Sequence, residues 1–513
     1  MSTHLLVALS PILIVALGAL ALMLAEAFSR LRNEAQESPS ASLSTGSAIV
    51  LLAAFTATMG VWMVGPENLP GAVALAPWLL IDRFSLFFFA LLTLGAMLTV
   101  LYAGGYLPEH KLDRGEFYPL VLLATAGAMA LSAAGDLLTL FIGLETMSLG
   151  VYAMVAFRRG SPRSIEASLK YFLLGAFAAA LLLYGGALLY GATGKTELAA
   201  IGRQLMHAGT VPAQTPQLLA FDNAQPLVVF GLILVIAGLG FKVAAVPFHM
   251  WTPDAYEGAP TPATTFMAGA VKSAAFAMML RVLGLAFHDA RSESWGAGWP
   301  PVIATLAVVT MTVGNLIATR QQSVKRMLAY SSISHAGYML VGVTALAGST
   351  NDTMGSVLFY ALTYMVSTMG AFGALMLCGS RGAEAVSYED LAGLGKRHPA
   401  VALALSLFIL SLAGVPPLAG FFGKLYLFKA SIGAGYLALT LIALINTVVG
   451  AYYYLRVLVY MYMREPLPGA PVARPMKSGH VAFALIVAAL IVLALGLFPG
   501  STLQAALSAK MAG

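Results

Sequence analysis

The chain has 513 residues, of which 59% are hydrophobic and only 10% are charged, and its mean hydropathy is +0.84. Soluble domains carry about 25% charged residues, so this composition excludes an ordinary soluble enzyme, a disordered chain and a nucleic-acid-binding protein. The single cysteine, Cys378, excludes a disulfide framework, an iron–sulfur cluster and a cysteine-based zinc site in this chain.

Fourteen apolar segments run through the chain, and each is long enough, at about 20 residues, to cross a bilayer as an α-helix. In chain order they occupy residues 5–28, 47–65, 80–104, 117–134, 137–157, 164–192, 226–247, 263–287, 301–319, 325–347, 354–379, 399–432, 435–463 and 478–498. Apolar residues do not alternate with polar ones in these segments, which favours helices over strands. The sequence therefore predicts an all-α polytopic membrane protein of about 14 transmembrane helices.

Lysine and arginine residues are distributed unevenly between the segments, and this distribution predicts the orientation of the chain. Loops that follow odd-numbered segments contain 16 of the 28 cations, whereas the even loops and the C-terminal tail contain 4. Because cytoplasmic loops are enriched in Lys and Arg, we expect the odd loops to be cytoplasmic and both termini to be periplasmic.

Eight cations remain within the apolar segments or at their edges. Arg83, Lys429 and Arg456 lie near segment ends, where a long side chain can reach the lipid headgroups. Arg281 is open to either a functional or a structural interpretation. The other four lie deeper and are lysines: Lys170, Lys242, Lys272 and Lys424. Charges at this depth cost at least a few kcal/mol each and are functional candidates.

Among the acidic residues, only Glu145 lies deep in an apolar segment, and His335 lies about ten residues into another. A buried carboxylate and a buried lysine change each other's proton affinity as they approach or separate. One such carboxylate with several lysines therefore predicts a proton relay, which His335 could join or else support as a structural residue. A structural ion pair would need one lysine instead of four, and a site for an ionic substrate fits four separated lysines poorly. No two histidines have metal-ligand spacing.

Two segments are interrupted next to a lysine, one around Lys242 and Pro247 and the other around Pro416–Pro417 and Lys424. Broken helices at corresponding positions of two halves are typical of ion sites in inverted-repeat transporters. We therefore predict two inverted five-helix repeats, formed by helices 4–8 (residues 117–287) and helices 9–13 (residues 301–463). A three-helix segment (1–104) precedes them, and a C-terminal helix (478–498) follows.

Four stretches carry a resemblance to a known family: EASLKYFLLGAFAAALLLYGGALLYGATG, GFKVAAVPFHMWTPDAYEGAPTPATTFMAGAVKSAAF, VKRMLAYSSISHAGYMLVG and GVPPLAGFFGKLYLF. From about residue 75 to 465 the chain resembles the antiporter-like membrane subunits of respiratory complex I. The WTPDAYEGAPTP block is specific to that superfamily. The LKYFLLGAF block and a lysine in the twelfth segment, where a paralogue has glutamate, favour the N-type subunits of bacterial NADH–quinone oxidoreductase, the counterparts of mitochondrial subunit 2.

The resemblance implies proton pumping driven by quinone reduction in other subunits. Matched residue by residue, it places six side chains on the proton path: Glu145, Lys170, Lys242, Lys272, His335 and Lys424. It implies no cofactor in this chain, with NADH, FMN, iron–sulfur clusters and quinone bound by partner subunits. It also implies the bacterial inner membrane as the location, and the lipid bilayer and other membrane subunits, including paralogous antiporter-like subunits, as partners.

These features suggest a mechanism in which Glu145 and Lys242 form a switchable ion pair. Separation of the pair would release the proton of Lys242 through Lys272 and His335 to Lys424. Three alternatives stay open at this point: a subunit of a stand-alone multisubunit cation/proton antiporter, the membrane subunit of a hydrogenase-type complex, and a structural scaffold. Neighbouring genes for NADH-binding and iron–sulfur subunits would exclude the first two, and a scaffold would tolerate substitution of Lys272 and Lys424.

Overall fold

The computed structural model describes residues 3–32, 40–210, 216–289, 291–296, 298–348, 352–380, 382–466 and 473–512. Regular structure in these residues is helical, and paired extended residues occur only as three isolated bridges. The helices of the first half are α1 (Thr3–Arg32), α2 (Ser40–Val64), α3 (Pro70–Val73), α4 (Arg83–Glu109), α5 (Phe117–Ser132), α6 (Leu137–Val155), α7 (Pro162–Thr193), α8 (Leu198–Thr210), α9 (Pro216–Val243), α10 (Trp251–Gly258), α11 (Thr261–Phe266) and α12 (Lys272–Arg281). Those of the second half are α13 (Pro300–Ala318), α14 (Val324–Ala345), α15 (Thr353–Leu377), α16 (Leu394–Arg397), α17 (Pro399–Ala413), α18 (Ala419–Gly433), α19 (Leu437–Met463), α20 (Gly479–Leu497) and α21 (Pro499–Ser508).

Each of the fourteen predicted apolar segments forms a helix or a broken helix. In the described part of the chain, 11 helices are long and apolar enough to cross a membrane. The other three segments are α5 with 16 residues, the serine-rich α14, and the interrupted pair α17 and α18. The predicted all-α polytopic membrane architecture is therefore confirmed.

Three spans form the centre of the bundle. In the most apolar part of each span, the share of residues that are buried is 83% for α4, 94% for α15 and 100% for the continuous helix Thr261–Ala286. This last helix comprises α11, a π-helical turn at Met267–Val271, α12 and a second π-helical turn at Val282–Ala286. Outer helices such as α1 expose large apolar side chains instead, as a surface in contact with lipid requires.

The two predicted breaks begin with the same backbone motif. After α9, Ala244 has φ 63°, its N–H donates to the Phe241 carbonyl, and the Ala245 N–H donates to the Gly240 carbonyl. After α17, Gly414 has φ 90°, and the N–H groups of Gly414 and Val415 donate to Ser411 and Leu410 in the same pattern. These are Schellman motifs, which end a helix with one left-handed residue. Each segment is therefore two half-helices joined by non-helical backbone.

The lysines lie on opposite sides of the two breaks, as predicted. Lys242 is the penultimate residue of α9, before the first break, whereas Lys424 is in α18, after the second. Helix packing also recurs between the halves. In the first half α5 packs along α6, and α7 contacts both α9 and α10; in the second, α13 packs along α14, and α15 contacts both α17 and α18. The inverted relationship of the halves and the bounds of all four predicted units stay predictions.

A buried ion pair joins α4 to α12. Both guanidinium NH groups of Arg281 lie 2.8 Å from the two carboxylate oxygens of Asp82, and Arg281 Nε donates to the Ser132 carbonyl. Asp82 also caps α4 by accepting from the Ser85 N–H, and it accepts a bond from the Ala512 N–H. Arg281, which the sequence left open, is thus a fully buried structural cation.

Candidate functional site

Lys242 lies in a pocket formed by α6, α7 and the first break. Its ammonium donates to the Ser148 hydroxyl at 2.8 Å and to the Tyr152 hydroxyl at 3.4 Å. The Tyr171 ring lies 5.9 Å from the ammonium, within the range of cation–π attraction. A buried lysine requires such partners because an unpaired ammonium in an apolar interior is costly. The pocket therefore holds Lys242 with hydroxyl groups and aromatic faces.

Glu145 lies one helical turn before Ser148 on α6. Its side chain is partly buried, and its Oε1 atom is inaccessible and has no hydrogen-bond partner in the described part of the chain. No carboxylate oxygen of a described residue lies within 4.0 Å of the Lys242 ammonium. The predicted pair of Glu145 and Lys242 is therefore not in direct contact in this conformation, and the Lys242 ammonium bonds instead to Ser148, one helical turn after Glu145.

Lys272 lies at the centre of the most buried helix. It directly follows the π-helical turn Met267–Val271, and its ammonium donates to the Ser332 main-chain carbonyl at 2.8 Å and to the Ser332 hydroxyl. The hydroxyl of Tyr364 donates to the same serine hydroxyl at 2.9 Å. A π-helical turn often occurs at a functional position. Ser332 thus connects Lys272 on α12 to Tyr364 on α15.

His335 lies one helical turn after Ser332 and uses both ring nitrogens. Its Nδ1 lies 2.6 Å from the Tyr360 hydroxyl, and its Nε2 lies 3.0 Å from the Tyr454 hydroxyl. The Tyr454 hydroxyl also bonds to the Ser331 hydroxyl. The His335 ring centroid is 5.0 Å from that of Tyr364. A histidine with a partner at each nitrogen can accept a proton at one and donate from the other.

Lys424 is bonded to the end of the broken helix that precedes it. Its ammonium donates to the main-chain carbonyls of Leu412 and Ala413, each at 3.1 Å. The last carbonyls of a helix have no partner within the helix and carry the negative end of its dipole. The ammonium also lies 5.3 Å from the Tyr338 ring centroid, and that ring packs edge-on against His335. Lys424 is therefore next to the His335 cluster.

Lys170 differs from the other three lysines. Its side chain is 44% exposed, and its ammonium bonds to Glu166 at 2.6 Å and to Asp254 at 2.9 Å. Arg326 bonds to the other oxygen of Asp254 and to Glu257. Lys170 thus belongs to an ionic cluster at the surface of the chain, unlike the three buried lysines with which the sequence groups it. Its place on the proton path stays a prediction.

Sequence analysis missed a second buried cluster, at the ends of helices on the side of the odd loops. Glu384 accepts hydrogen bonds from Tyr106, from Thr261 at 2.8 Å and from Lys325 at 3.0 Å, with Arg158 at 3.8 Å. Burial alone would raise the pKa of the Glu384 carboxyl. Lys325, the Tyr106 hydroxyl and Arg158 have the larger opposite effect, and together they lower this pKa from 4.5 to about 2. Thr261 begins the helix that contains Lys272, so this carboxylate fixes the start of that helix.

Comparison with known proteins identifies the family. The family described as "NADH:quinone oxidoreductase/Mrp antiporter, TM" matches residues 134–450. NADH-quinone oxidoreductase subunit N 1 of Sorangium cellulosum (strain So ce56) is 62% identical over 509 residues, which are 99% of this chain and 98% of that protein. The chain belongs to the NADH-quinone oxidoreductase subunit N family. The predicted resemblance is thereby confirmed, and this chain is an antiporter-like membrane subunit of that oxidoreductase.

Solved structures agree with this family. A chain of "Respiratory complex I from Thermus thermophilus with bound Aureothin" is 35% identical, with a TM-score of 0.73, over 96% of this chain and 98% of that chain. A chain of the "Mrp complex from Dietzia sp. DQ12-45-1b" has a TM-score of 0.81 over 99% of this chain and 97% of that chain. Because the latter is only 24% identical, it supports the fold of this subunit N family member and not its activity.

In the described part of this chain, no group of three His, Cys, Asp or Glu residues is placed to hold a metal ion. What the arrangement offers instead is a series of buried lysines joined by hydroxyl groups and a histidine. Lysine can release its proton, whereas arginine remains protonated. Hydroxyl groups and imidazole can both donate and accept. The site is therefore suited to proton transfer through the centre of a subunit N protein.

Proposed function

We propose that this chain translocates protons across the bacterial inner membrane as a subunit of NADH–quinone oxidoreductase. Quinone reduction in partner subunits, which carry the NADH site, the FMN and the iron–sulfur clusters, drives the transport. One observation carries the proposal: Lys242, Lys272 and Lys424 are all buried, and each ammonium is held by hydroxyls or carbonyls without a carboxylate within 4.0 Å among the described residues.

In the proposed cycle, Glu145 and Lys242 alternate between a paired and a separated state. The paired state stabilises the ammonium because an opposite charge within about 4–6 Å favours the charged form. The separated state leaves the ammonium with Ser148 and Tyr152, which are neutral partners. Its proton then passes to Lys272. A rearrangement in a neighbouring membrane subunit that moves α6 relative to α9 would switch between these states.

From Lys272 the proposed path follows the bonded groups of α14 and α15. Ser332 and Tyr364 lie next to the lysine, His335 lies one turn further along α14, and Lys424 lies beyond Tyr338. Steps between groups that do not touch proceed through internal water, which bridges polar groups nearly as well as a direct hydrogen bond. Lys424, beside the second break, is the exchange point with the periplasmic side.

A matched pair of substitutions tests this function. Glu145→Ala and Lys242→Ala each remove one member of the proposed switch, so proton uptake driven by NADH oxidation in inverted membrane vesicles should fall to background. Glu465→Ala and Lys396→Ala remove a surface ion pair whose side chains are 82% and 73% exposed, and uptake should be unchanged. Normal proton uptake in both the Glu145 and Lys242 variants, with intact complexes, would overturn the proposal.

We also propose that the odd loops are cytoplasmic and that both termini are periplasmic, on the basis of the 16-to-4 distribution of cations. Cys378 is buried, so no native thiol is exposed among the described residues of this chain. A cysteine at Lys195 should therefore react with a membrane-impermeant maleimide in intact spheroplasts, whereas one at Arg159 should react only after lysis. The reverse labelling pattern would contradict this orientation.

A further inference from the structure

Two cavities adjoin each other at one end of α7, outside the lysine chain. The first has a volume of about 290 Å³ and is lined almost wholly by apolar groups of α6, α7 and α9, among them Leu140, Leu182, Gly186 and Val235. It opens on the outer surface of the helices, where Leu183 is 47% exposed. This cavity is therefore an apolar groove that is open on the lateral surface of the chain.

The second cavity, of about 570 Å³, is polar and lies between the end of α7 and helix α8. Its lining includes Asp136, Lys195, Glu197 and Arg203. Tyr190 and Thr196 line both cavities, so the polar space and the apolar groove adjoin at these two residues. A site with one apolar and one polar compartment matches an amphipathic ligand.

The position of aromatic residues places the polar cavity at the level of the lipid headgroups. Trp78 and Tyr190 line it and are 61% and 53% exposed, and Trp and Tyr are enriched where the bilayer meets water. Helix α8 buries Leu198, Ile201 and Leu205 against the protein and exposes Arg203, so it is an amphipathic helix that turns its polar face outward beside the cavity.

Two cations line the cavity, and only one of them has an acidic partner among the described residues. Glu197 is paired with Arg203 at 3.0 Å, and Asp136 is buried and accepts the Leu138 N–H. The exposed Lys195 ammonium has no carboxylate within 4.0 Å among the described residues. Arg203 has further N–H groups beyond the one that bonds to Glu197. Lys195 and Arg203 together can therefore bind a phosphate group.

We propose that the two cavities form one binding site for a glycerophospholipid. The phosphate binds between Lys195 and Arg203, and one acyl chain enters the groove past Tyr190 toward Leu182. These two residues are eight positions apart on α7, so the groove accepts about 12 Å of chain at 1.5 Å per residue. The site is independent of the proton path, because the residues of the path do not line either cavity.

Photolabelling of the assembled oxidoreductase tests this proposal. The complex is reconstituted in phosphatidylglycerol vesicles that contain a trace of phosphatidylglycerol with a diazirine in one acyl chain. After illumination, peptides covering residues 182–190 should carry the lipid. Diacylglycerol with the same diazirine chain, which lacks the phosphate, should label them about tenfold less, the ratio expected for the loss of one charge-assisted hydrogen bond.

Two matched variants test the two compartments separately. Lys195→Glu with Arg203→Glu should reduce labelling about tenfold, whereas Lys510→Glu, a single charge reversal in the C-terminal tail, should not. Gly186 lines the groove, and an added Cβ would meet only Leu137 at 3.6 Å, so Gly186→Leu should fit and block the acyl chain. Gly191 on the same helix has nothing within 4 Å of an added Cβ, and Gly191→Leu should leave labelling unchanged.

Two results would overturn the lipid site. Equal labelling by the phospholipid and the diacylglycerol, unaffected by the charge reversals, would show contact with bulk lipid only. A photoreactive amino acid at Leu183 that crosslinks to another subunit instead of to lipid would show that a protein helix occupies the groove.

Discussion

The ammonium of Lys424 lies 3.1 Å from the main-chain carbonyl of Ala413, the last residue of α17. Lys424, in the second half-helix α18, thus caps the C-terminus of the first half-helix, α17. Helix C-termini attract cations, so the charge of Lys424 and the geometry of the break depend on each other. Deprotonation removes the charge that this helix end attracts, and movement of the break changes the proton affinity of the lysine.

The substitution Lys424→Arg distinguishes a role of Lys424 in proton transfer from a structural role of its positive charge. Lys424→Arg keeps a cation that can bond to the carbonyls of α17, but the guanidinium does not release its proton. We expect normal assembly and a loss of NADH-driven proton uptake of at least about 100-fold, since positioned proton donors contribute on that order. The control is Lys429→Arg on the same helix, where the side chain is exposed. Wild-type uptake by the Lys424 variant would show that the position only needs a positive charge.

The tyrosines around His335 provide a second test. Tyr360→Phe and Tyr454→Phe each remove the hydroxyl partner of one ring nitrogen. A buried group that loses its partner costs about 1–3 kcal/mol, so each variant should slow proton uptake about tenfold or more. Tyr452→Phe, at a side chain that is 60% exposed on the same helix as Tyr454, should have no effect. If uptake is normal in the double variant Tyr360→Phe/Tyr454→Phe, protons do not pass through the His335 cluster.

The buried pair of Arg281 and Asp82 predicts a stability effect without a direct catalytic one. Asp82→Asn leaves a guanidinium without its counter-charge in a fully buried position, which costs about 3–5 kcal/mol. We expect a lower melting temperature of the purified complex, or loss of the subunit during purification, with normal activity per assembled complex. The control is Glu67→Gln, which breaks the surface ion pair between Glu67 and Arg83. This variant should change the melting temperature little, because surface ion pairs contribute little to stability. An unchanged melting temperature in Asp82→Asn would contradict this role.

The Glu384 cluster predicts a pH dependence. The pKa of Glu384 is about 2 in the folded protein against an ordinary value of 4.5, so folding favours its charged form. This stabilisation, of about 3 kcal/mol, is complete above the ordinary value and is lost as the pH falls from about 4.5 toward 2. Glu384→Gln should therefore lower the melting temperature at pH 7, and its difference from the wild type should shrink below about pH 4.5 and disappear near pH 2. Glu465→Gln, at an 82% exposed side chain, should follow the wild type at both values; a constant difference for Glu384→Gln would exclude this charge effect.

Much of this architecture is encoded locally and could be predicted. Helix positions follow from runs of apolar residues, and the breaks follow from Pro247 and Pro416–Pro417. The depth of Lys242, Lys272 and Lys424 follows from their distance to the segment ends. These properties depend on neighbouring residues in the chain, so they are visible in the sequence.

Partners that are distant in the chain could not be predicted. Lys170 has one partner, Glu166, one helical turn before it, but its other partner, Asp254, is 84 residues away and could not be identified from the sequence. Asp82 is 199 residues from Arg281, so the sequence left the role of that arginine open. Ser148 and Ser332 hold lysines, yet a serine in an apolar helix is too common to indicate a site. Side-chain pairing across the bundle therefore required the folded structure.

Lys325 contributes to two features of the protein. In the proposed orientation it is one of the 16 odd-loop cations that mark the cytoplasmic side. After folding it is 1% exposed, and its charge is compensated by Glu384 and by the Ala259 carbonyl. The positive charge that counts toward orientation in the sequence is therefore larger than the positive charge that the folded protein displays on the side of the odd loops. A residue that counts toward the orientation of the chain thus also stabilises the start of the helix that contains Lys272.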